Sequence, residues 1–63
     1  MTVREFIEGF DEIAMLFITE GGIGHSFVGE EDIECIDEDL LDKLVESSLV
    51  IKKQYGYEVH LEV

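Results

Sequence analysis

The sequence is dominated by a dense run of carboxylates at residues 29–46, which we call the acidic segment. It holds nine aspartate and glutamate side chains against a single cation, Lys43. Like charges placed close together repel one another and favour an expanded chain, so a small fold that keeps them needs a compensating reason. That reason is either solubility or the binding of a positively charged partner.

The length of the chain limits it to a thin hydrophobic core. Its 63 residues suffice for one domain, spanning 1–63, and domains near this size bury only about 60% of the surface that their unfolded chain exposes. Acidic chains are disordered when they are poor in apolar residues, but 46% of these residues are hydrophobic. We therefore expect a single compact domain.

The chain opens with the pattern of a short amphipathic helix. Apolar side chains recur at helical offsets of three, four and seven, at Val3, Phe6, Ile7 and Phe10. Thr2 is suited to cap this helix at its N-terminus, with Glu5 three residues later completing a capping box.

A strand is predicted next, at residues 12–19. Its run "IAMLFIT" is apolar at nearly every position and rich in β-favouring side chains, so we expect it to be covered on both faces or to lie at a dimer contact. The glycines of "EGGIG" predict a turn. Residues 25–29 would then return as a second strand that runs out into the acidic segment.

The second half of the chain predicts a short helix followed by a hairpin. Asp37 is suited to be the N-cap of the helix. From Val45 onward, apolar and polar residues mostly alternate with a period of two, which favours two strands joined around "KKQYG". Residues 44–55 also fit one long helix ending before Gly56, and we favour the hairpin. The predicted fold is α+β, in the order helix, strand, strand, helix, strand, strand, with a mainly antiparallel sheet of about four strands and one or two short helices.

No pattern typical of an active site, a cofactor site or a metal site stands out. The glycine-rich "GGIGHSFVG" lacks the spacing and the lysine of a phosphate-binding loop. "DIECIDEDLLDK" lacks the glycine and the final ligand of an EF-hand loop. Cys35 lies close to Ile33 and Ile36, so we expect a core residue rather than a nucleophile. We expect a protein that is not an enzyme and uses no cofactor or metal.

The charge and the cysteine content of the chain restrict its cellular compartment and its possible binding partners. The lone Cys35 cannot form an internal disulfide, and neither a signal peptide nor an apolar run of about 18 residues is present, so we expect a cytoplasmic protein. A net charge of −12 repels phosphates, which argues against direct binding of nucleic acid or membranes.

The acidic segment instead predicts a basic protein as the partner. Carboxylates spaced like phosphates would occupy the basic groove of a nucleic-acid-binding protein or nuclease and exclude its ligand. The residues predicted to bind the partner are Glu30, Glu31, Asp32, Glu34, Asp37, Glu38, Asp39 and Asp42.

Small size, acidity and the α+β pattern, with "GEEDIECIDEDLLD" as the most telling stretch, resemble the DNA-mimic inhibitors that phages and mobile elements encode. Anti-CRISPR proteins and uracil-DNA glycosylase inhibitors are examples. The resemblance implies a non-enzymatic inhibitor that competes with nucleic acid for its target protein.

An alternative from a different functional class is a small structural or self-associating domain. The apolar "IAMLFI" strand would pair across a two-fold axis in a homodimer, because a monomer this small has little core. The acidic face would then only confer solubility.

Overall fold

A four-stranded sheet with three short helices on one of its faces forms the fold. The computed structural model describes all 63 residues. In chain order the elements are α1 (Val3–Glu8), β1 (Ile13–Glu20), β2 (Ile23–Val28), α2 (Gly29–Glu34), α3 (Glu38–Leu41), β3 (Ser47–Lys53) and β4 (Gly56–Glu62). The predicted α+β class is confirmed, and α2 adds one helix to the predicted order.

The first helix begins with the predicted capping box. Thr2 Oγ1 accepts a hydrogen bond from the backbone N–H of Glu5 at 3.2 Å, and Glu5 Oε1 accepts one from the backbone N–H of Thr2 at 2.9 Å. Both N–H groups lack partners within the helix, so the two bonds fix where α1 starts. The backbone N–H of Val3 also donates to the carbonyl of Lys43 at 2.9 Å, which ties α1 to the chain after α3.

The sheet consists of two hairpins joined side by side. β1 and β2 connect through Gly21 and Gly22, whose φ angles of 56° and 84° lie in the left-handed region that favours glycine. β3 and β4 form the predicted hairpin rather than the alternative helix at residues 44–55. The strand order is β2-β1-β4-β3, so β1 and β4 meet at the centre as a parallel pair. The other two pairings are antiparallel, in agreement with a mainly antiparallel sheet.

All three helices pack on the same face of the sheet. Leu16 and Ile18 of β1 point toward the helices beside Val59 and Leu61 of β4. The fully or almost fully buried side chains of the core are Val3, Leu16, Ile18, Ile36, Val59 and Leu61. At about 25 cal/mol per Å² of apolar surface, burial of this small set supplies most of what holds the sheet to the helices.

The opposite face of the sheet has no helix on it, and we call it the open face. Because side chains alternate along a strand, Met15 and Phe17 lie on this face while Leu16 lies on the other. Of the two alternatives expected for β1, cover on both faces is therefore wrong for the single chain, and a dimer contact stays a prediction. The strand registers place on the open face Gly24, Ser26 and Val28 of β2, Met15, Phe17 and Thr19 of β1, Glu58, His60 and Glu62 of β4, and Ser47, Leu49 and Ile51 of β3.

Residues 29–34 form a helix where the second strand was expected to run on. The strand ends at Val28, and Gly29 turns the chain with a φ of 84°. Val28 is the N-cap of α2 and has no capping side chain of its own, so Asp32 Oδ2 accepts a hydrogen bond from its backbone N–H at 3.1 Å. This bond lets α2 begin directly at the end of β2.

The region between α2 and α3 differs from expectation at Cys35. The residue is exposed, and its neighbour Ile36 takes the core position. α3 begins after the predicted N-cap Asp37, although the Asp37 side chain makes no capping hydrogen bond. None of the three helices has the length and apolar character needed to cross a membrane.

Candidate partner-binding surface

The structure leaves every predicted partner-binding residue exposed to solvent. These residues lie on α2, on α3 and at the turns that end them. They are Glu30, Glu31, Asp32, Glu34, Asp37, Glu38, Asp39 and Asp42. Exposure keeps ionised carboxylates hydrated, so their negative charge faces outward on the helix side of the sheet.

Cations neutralise little of this charge. Arg4 pairs with Asp42 and Lys43 with Glu20, each at 3.3 Å between nitrogen and oxygen. Both pairs are solvent-exposed, and such pairs stabilise a fold by about 0–1 kcal/mol. No cation pairs with the carboxylates of α2. Asp32 and Asp42 thus already have partners within the chain, whereas the other six predicted residues do not.

Four carboxylates surround an apolar depression between α1 and α2, which we call the α1–α2 cleft. Its apolar lining consists of Ile7, Phe10, Ile13 and Ile33, and its carboxylates are those of Glu8, Asp11, Glu30 and Glu34. The volume is about 210 Å³. Pockets for small-molecule ligands usually measure about 300–1,000 Å³, so this cleft matches a single long side chain better than a metabolite.

Two of the four acidic residues of the α1–α2 cleft lie at the C-terminal ends of helices, whereas Glu30 lies in the first turn of α2. Glu8 is the last residue of α1 and Glu34 is the last residue of α2, and neither helix has a basic residue in its last turn. The C-terminal end of a helix carries partial negative charge, and a carboxylate there is unfavourable by a few tenths of a kcal/mol or more. A positively charged side chain entering the cleft would relieve both the helix ends and the carboxylates.

A second, larger depression of about 380 Å³ lies beside α3. Asp37, Asp39 and Leu40 line it together with residues of β1 and β2, including Glu20 and His25. Lys43 also lines it and pairs with Glu20, so part of its negative charge is already balanced. The α1–α2 cleft is therefore the stronger site for a cation.

The residues on the α1 side of this surface were not among those predicted. Glu8 and Asp11 lie about twenty residues from α2 in sequence, yet they share its cleft. The β1/β2 hairpin causes this proximity, because an antiparallel hairpin brings the residue before its first strand next to the residue after its second. The hairpin predicted from the sequence could therefore have indicated that residues 8–11 lie next to α2.

The histidine of β4 and one serine of β3 lie next to carboxylates of β4. No group of three or more His, Cys, Asp or Glu side chains is arranged to hold a metal ion. His60 Nε2 lies 2.9 Å from Glu58 Oε1, and the imidazole stacks on Phe17 at 4.7 Å between ring centroids. The nearby Ser47 hydroxyl donates instead to Glu62 Oε1 at 3.0 Å. No protein-family model, curated protein or solved structure matches the chain.

Proposed function

We propose that this chain is a non-enzymatic acidic binding protein. Its helix side engages a basic protein, in particular a nucleic-acid-binding protein or nuclease, and excludes the nucleic acid from that protein's groove. The observation that carries the proposal is the α1–α2 cleft, whose lining combines four apolar residues with four acidic ones and contains no basic residue. In this setting the protein acts in the cytoplasm as an inhibitor by competition, in the manner of the phage-encoded DNA mimics.

The density of charge on the helix side supports a nucleic-acid mimic. Residues 1–12 and 29–42 together carry twelve carboxylates and one cation, a net charge of −11. If they form about half of the 4337 Å² of accessible surface, each net charge occupies roughly 200 Å². Duplex DNA carries roughly one charge per 100 Å² of its cylindrical surface, so the two densities agree within about a factor of two.

The chemistry of the cleft specifies the group that it receives. An arginine or lysine side chain has an apolar stem and a charged head, and the cleft has an apolar lining next to carboxylates. Arginine fits best, because its planar guanidinium binds carboxylates through two parallel hydrogen bonds. The basic grooves that bind phosphate groups present these same side chains.

Two double variants with equal charge test the proposal. E30Q/E34Q removes two carboxylates of the α1–α2 cleft and spares Asp32, whose side chain supports the start of α2. E46Q/E62Q removes two exposed carboxylates next to each other at the other end of the sheet. Both variants change the net charge from −12 to −10.

The chain and its two variants are immobilised and exposed to a cell extract at near-physiological salt, and the captured proteins are identified by mass. We expect the wild-type chain and E46Q/E62Q to retain nucleic-acid-binding proteins that excess duplex DNA or RNA displaces. We expect E30Q/E34Q to retain them at least tenfold less, with a weaker dependence of binding on salt. A captured protein is then mixed with its DNA, and the wild-type chain should prevent the complex in a gel-shift assay.

The same experiment separates specific binding from a charge effect. If the acidic surface only confers solubility, the two variants lose capture equally or nothing basic is captured. Capture that survives in E30Q/E34Q, or that DNA does not displace, would contradict the proposal.

A further inference from the structure

The open face carries five large apolar side chains among twelve positions and little charge, on an otherwise strongly acidic protein. Its strand registers form three rows across the sheet. The row nearest α2 contains Val28, Met15, Glu58 and Ile51, and the central row contains Ser26, Phe17, His60 and Leu49. Five of these eight side chains are apolar, and Val28 and Leu49 remain 59% and 57% exposed. A contiguous exposed apolar patch marks an interaction surface.

We infer that the open face binds the open face of a second copy of this chain, in a symmetric homodimer. The two sheets would stack face to face, with their apolar rows about a two-fold axis and their strands aligned as in a β-sandwich. The helices would then lie on the two outer sides. This dimer is independent of the function proposed for the helix side.

The charge distribution favours a second copy over a basic partner at this face. Only two of the sixteen carboxylates of the chain, Glu58 and Glu62, lie on the open face. Strand alternation places Lys53 at its edge, so the face has a net charge of −1 when His60 is neutral. Two copies approaching through this face keep their other carboxylates apart, whereas any other orientation brings acidic surfaces together.

The polar groups at the centre of the open face are already hydrogen-bonded to one another. Glu58 Oε1 lies 2.9 Å from His60 Nε2, and the Glu58 side chain is only 18% exposed. Ser47 donates to Glu62 at 3.0 Å in the third row. Burial is costly for polar groups that lack a partner, and these hydrogen bonds offset part of the cost of covering the two carboxylates.

The area of the face determines how strong the dimer is. Four strands about 4.8 Å apart, each about seven residues long at about 3.3 Å per residue, give a face of roughly 440 Å². Two such faces bury on the order of 900 Å², below the roughly 1,600 Å² of a standard stable interface and within the range of weak, reversible ones. We therefore expect a dimer that dissociates at micromolar concentrations.

Sedimentation velocity from about 5 to 500 μM tests the dimer, with two matched variants. L49K places a charge on the open face, and L44K makes the same change at a residue that is 67% exposed and lies outside the sheet. We expect wild-type and L44K to form a dimer at the higher concentrations. We expect L49K to stay monomeric with an unchanged circular dichroism spectrum, because Leu49 makes no contact with the core.

Methyl resonances of the wild-type chain give a second test that needs no variant. On dilution, we expect the signals of Met15, Val28 and Leu49 to shift while those of Leu40 and Leu41 stay constant. A wild-type monomer at 500 μM, equal weakening by L49K and L44K, or shifts confined to the helix side would each overturn the dimer. The dimer would also be overturned if the open-face signals did not change with protein concentration and broadened only when phosphatidylcholine vesicles were added, since the open face would then bind lipid.

Discussion

Replacing Leu16 with alanine measures how much of the fold depends on the helix side of β1. Leu16 has no exposed surface and lies between the neighbouring strands β2 and β4, beside Phe27 and Val59. Leucine-to-alanine changes at such sites cost about 2.7–5 kcal/mol, from lost burial and the cavity that remains. The whole chain, at about 0.05–0.15 kcal/mol per residue, is stable by about 3–9 kcal/mol. L16A should therefore lose a third or more of the free energy of unfolding. If the wild-type free energy of unfolding is about 3 kcal/mol, L16A should be largely unfolded.

Met15 provides the matched control, since it is the adjacent residue and lies on the open face. Methionine-to-alanine removes a similar volume, but the side chain is only half-buried in the single chain. We expect M15A to cost about 1 kcal/mol, from the smaller apolar surface it removes from contact. The difference between the two variants measures the one-sided burial of β1.

Urea unfolding followed by circular dichroism gives both values. At a slope near 1 kcal/mol per M, as expected for a small protein, L16A should lower the midpoint by about 3 M or more and M15A by about 1 M. The chain is kept at low micromolar concentration, where the proposed dimer is dissociated. Equal losses for L16A and M15A at that concentration would refute the one-sided burial of β1.

Two further predictions concern local backbone features. The pKa of Glu5 lies below its ordinary value because the backbone N–H of Thr2 and then the Thr2 hydroxyl bind its carboxylate. A lowered folded-state pKa contributes stability above the unfolded pKa, and this is lost as the pH falls through the folded one. Wild type should therefore be more stable than E5Q at neutral pH, and this advantage should disappear in thermal unfolding once the pH falls below the folded-state pKa of Glu5. Gly56 has a φ of 132°, and a Cβ at this position would lie 3.2 Å from the Cβ of Ala14. We therefore expect G56A to lower the free energy of unfolding by about 1–3 kcal/mol, and the control G24A, where the space is open, to change it little. An unchanged melting temperature of G56A would contradict this prediction.

Local patterns predicted most of the secondary structure. The capping box at Thr2 and Glu5, the glycine turn and the period of two after Val45 each depend on residues close in sequence, and each was found in the structure. The α2 helix was missed because Gly29 and the acidic residues after it offer no capping side chain at the expected position. The bond from Val28 to Asp32 compensates for that, and only the folded geometry reveals it.

The arrangement of the site depended on contacts between distant parts of the chain. Exposure of the acidic segment follows from its composition, but its association with Glu8 and Asp11 requires the β1/β2 hairpin to be in place. Cys35 and Ile36 are adjacent residues between α2 and α3, and a difference of one residue in the rotation of the helical turn decides which of the two side chains is buried. Sequence periodicity does not determine that phase in a helix of six residues.

The central position of β4 has a consequence for the route of folding. Each hairpin closes over a short loop, whereas the parallel pair joins residues 13–19 to residues 57–62, more than forty positions later. Contacts so distant in sequence carry a large loop-closure entropy and slow the search for the native state. Until residues 56–62 have been synthesised, the inner edge of β1 has no partner strand and the buried cluster lacks two of its six residues, Val59 and Leu61. The two hairpins are thus the parts that form early, and their docking through β1 and β4 is the step that sets the folding rate.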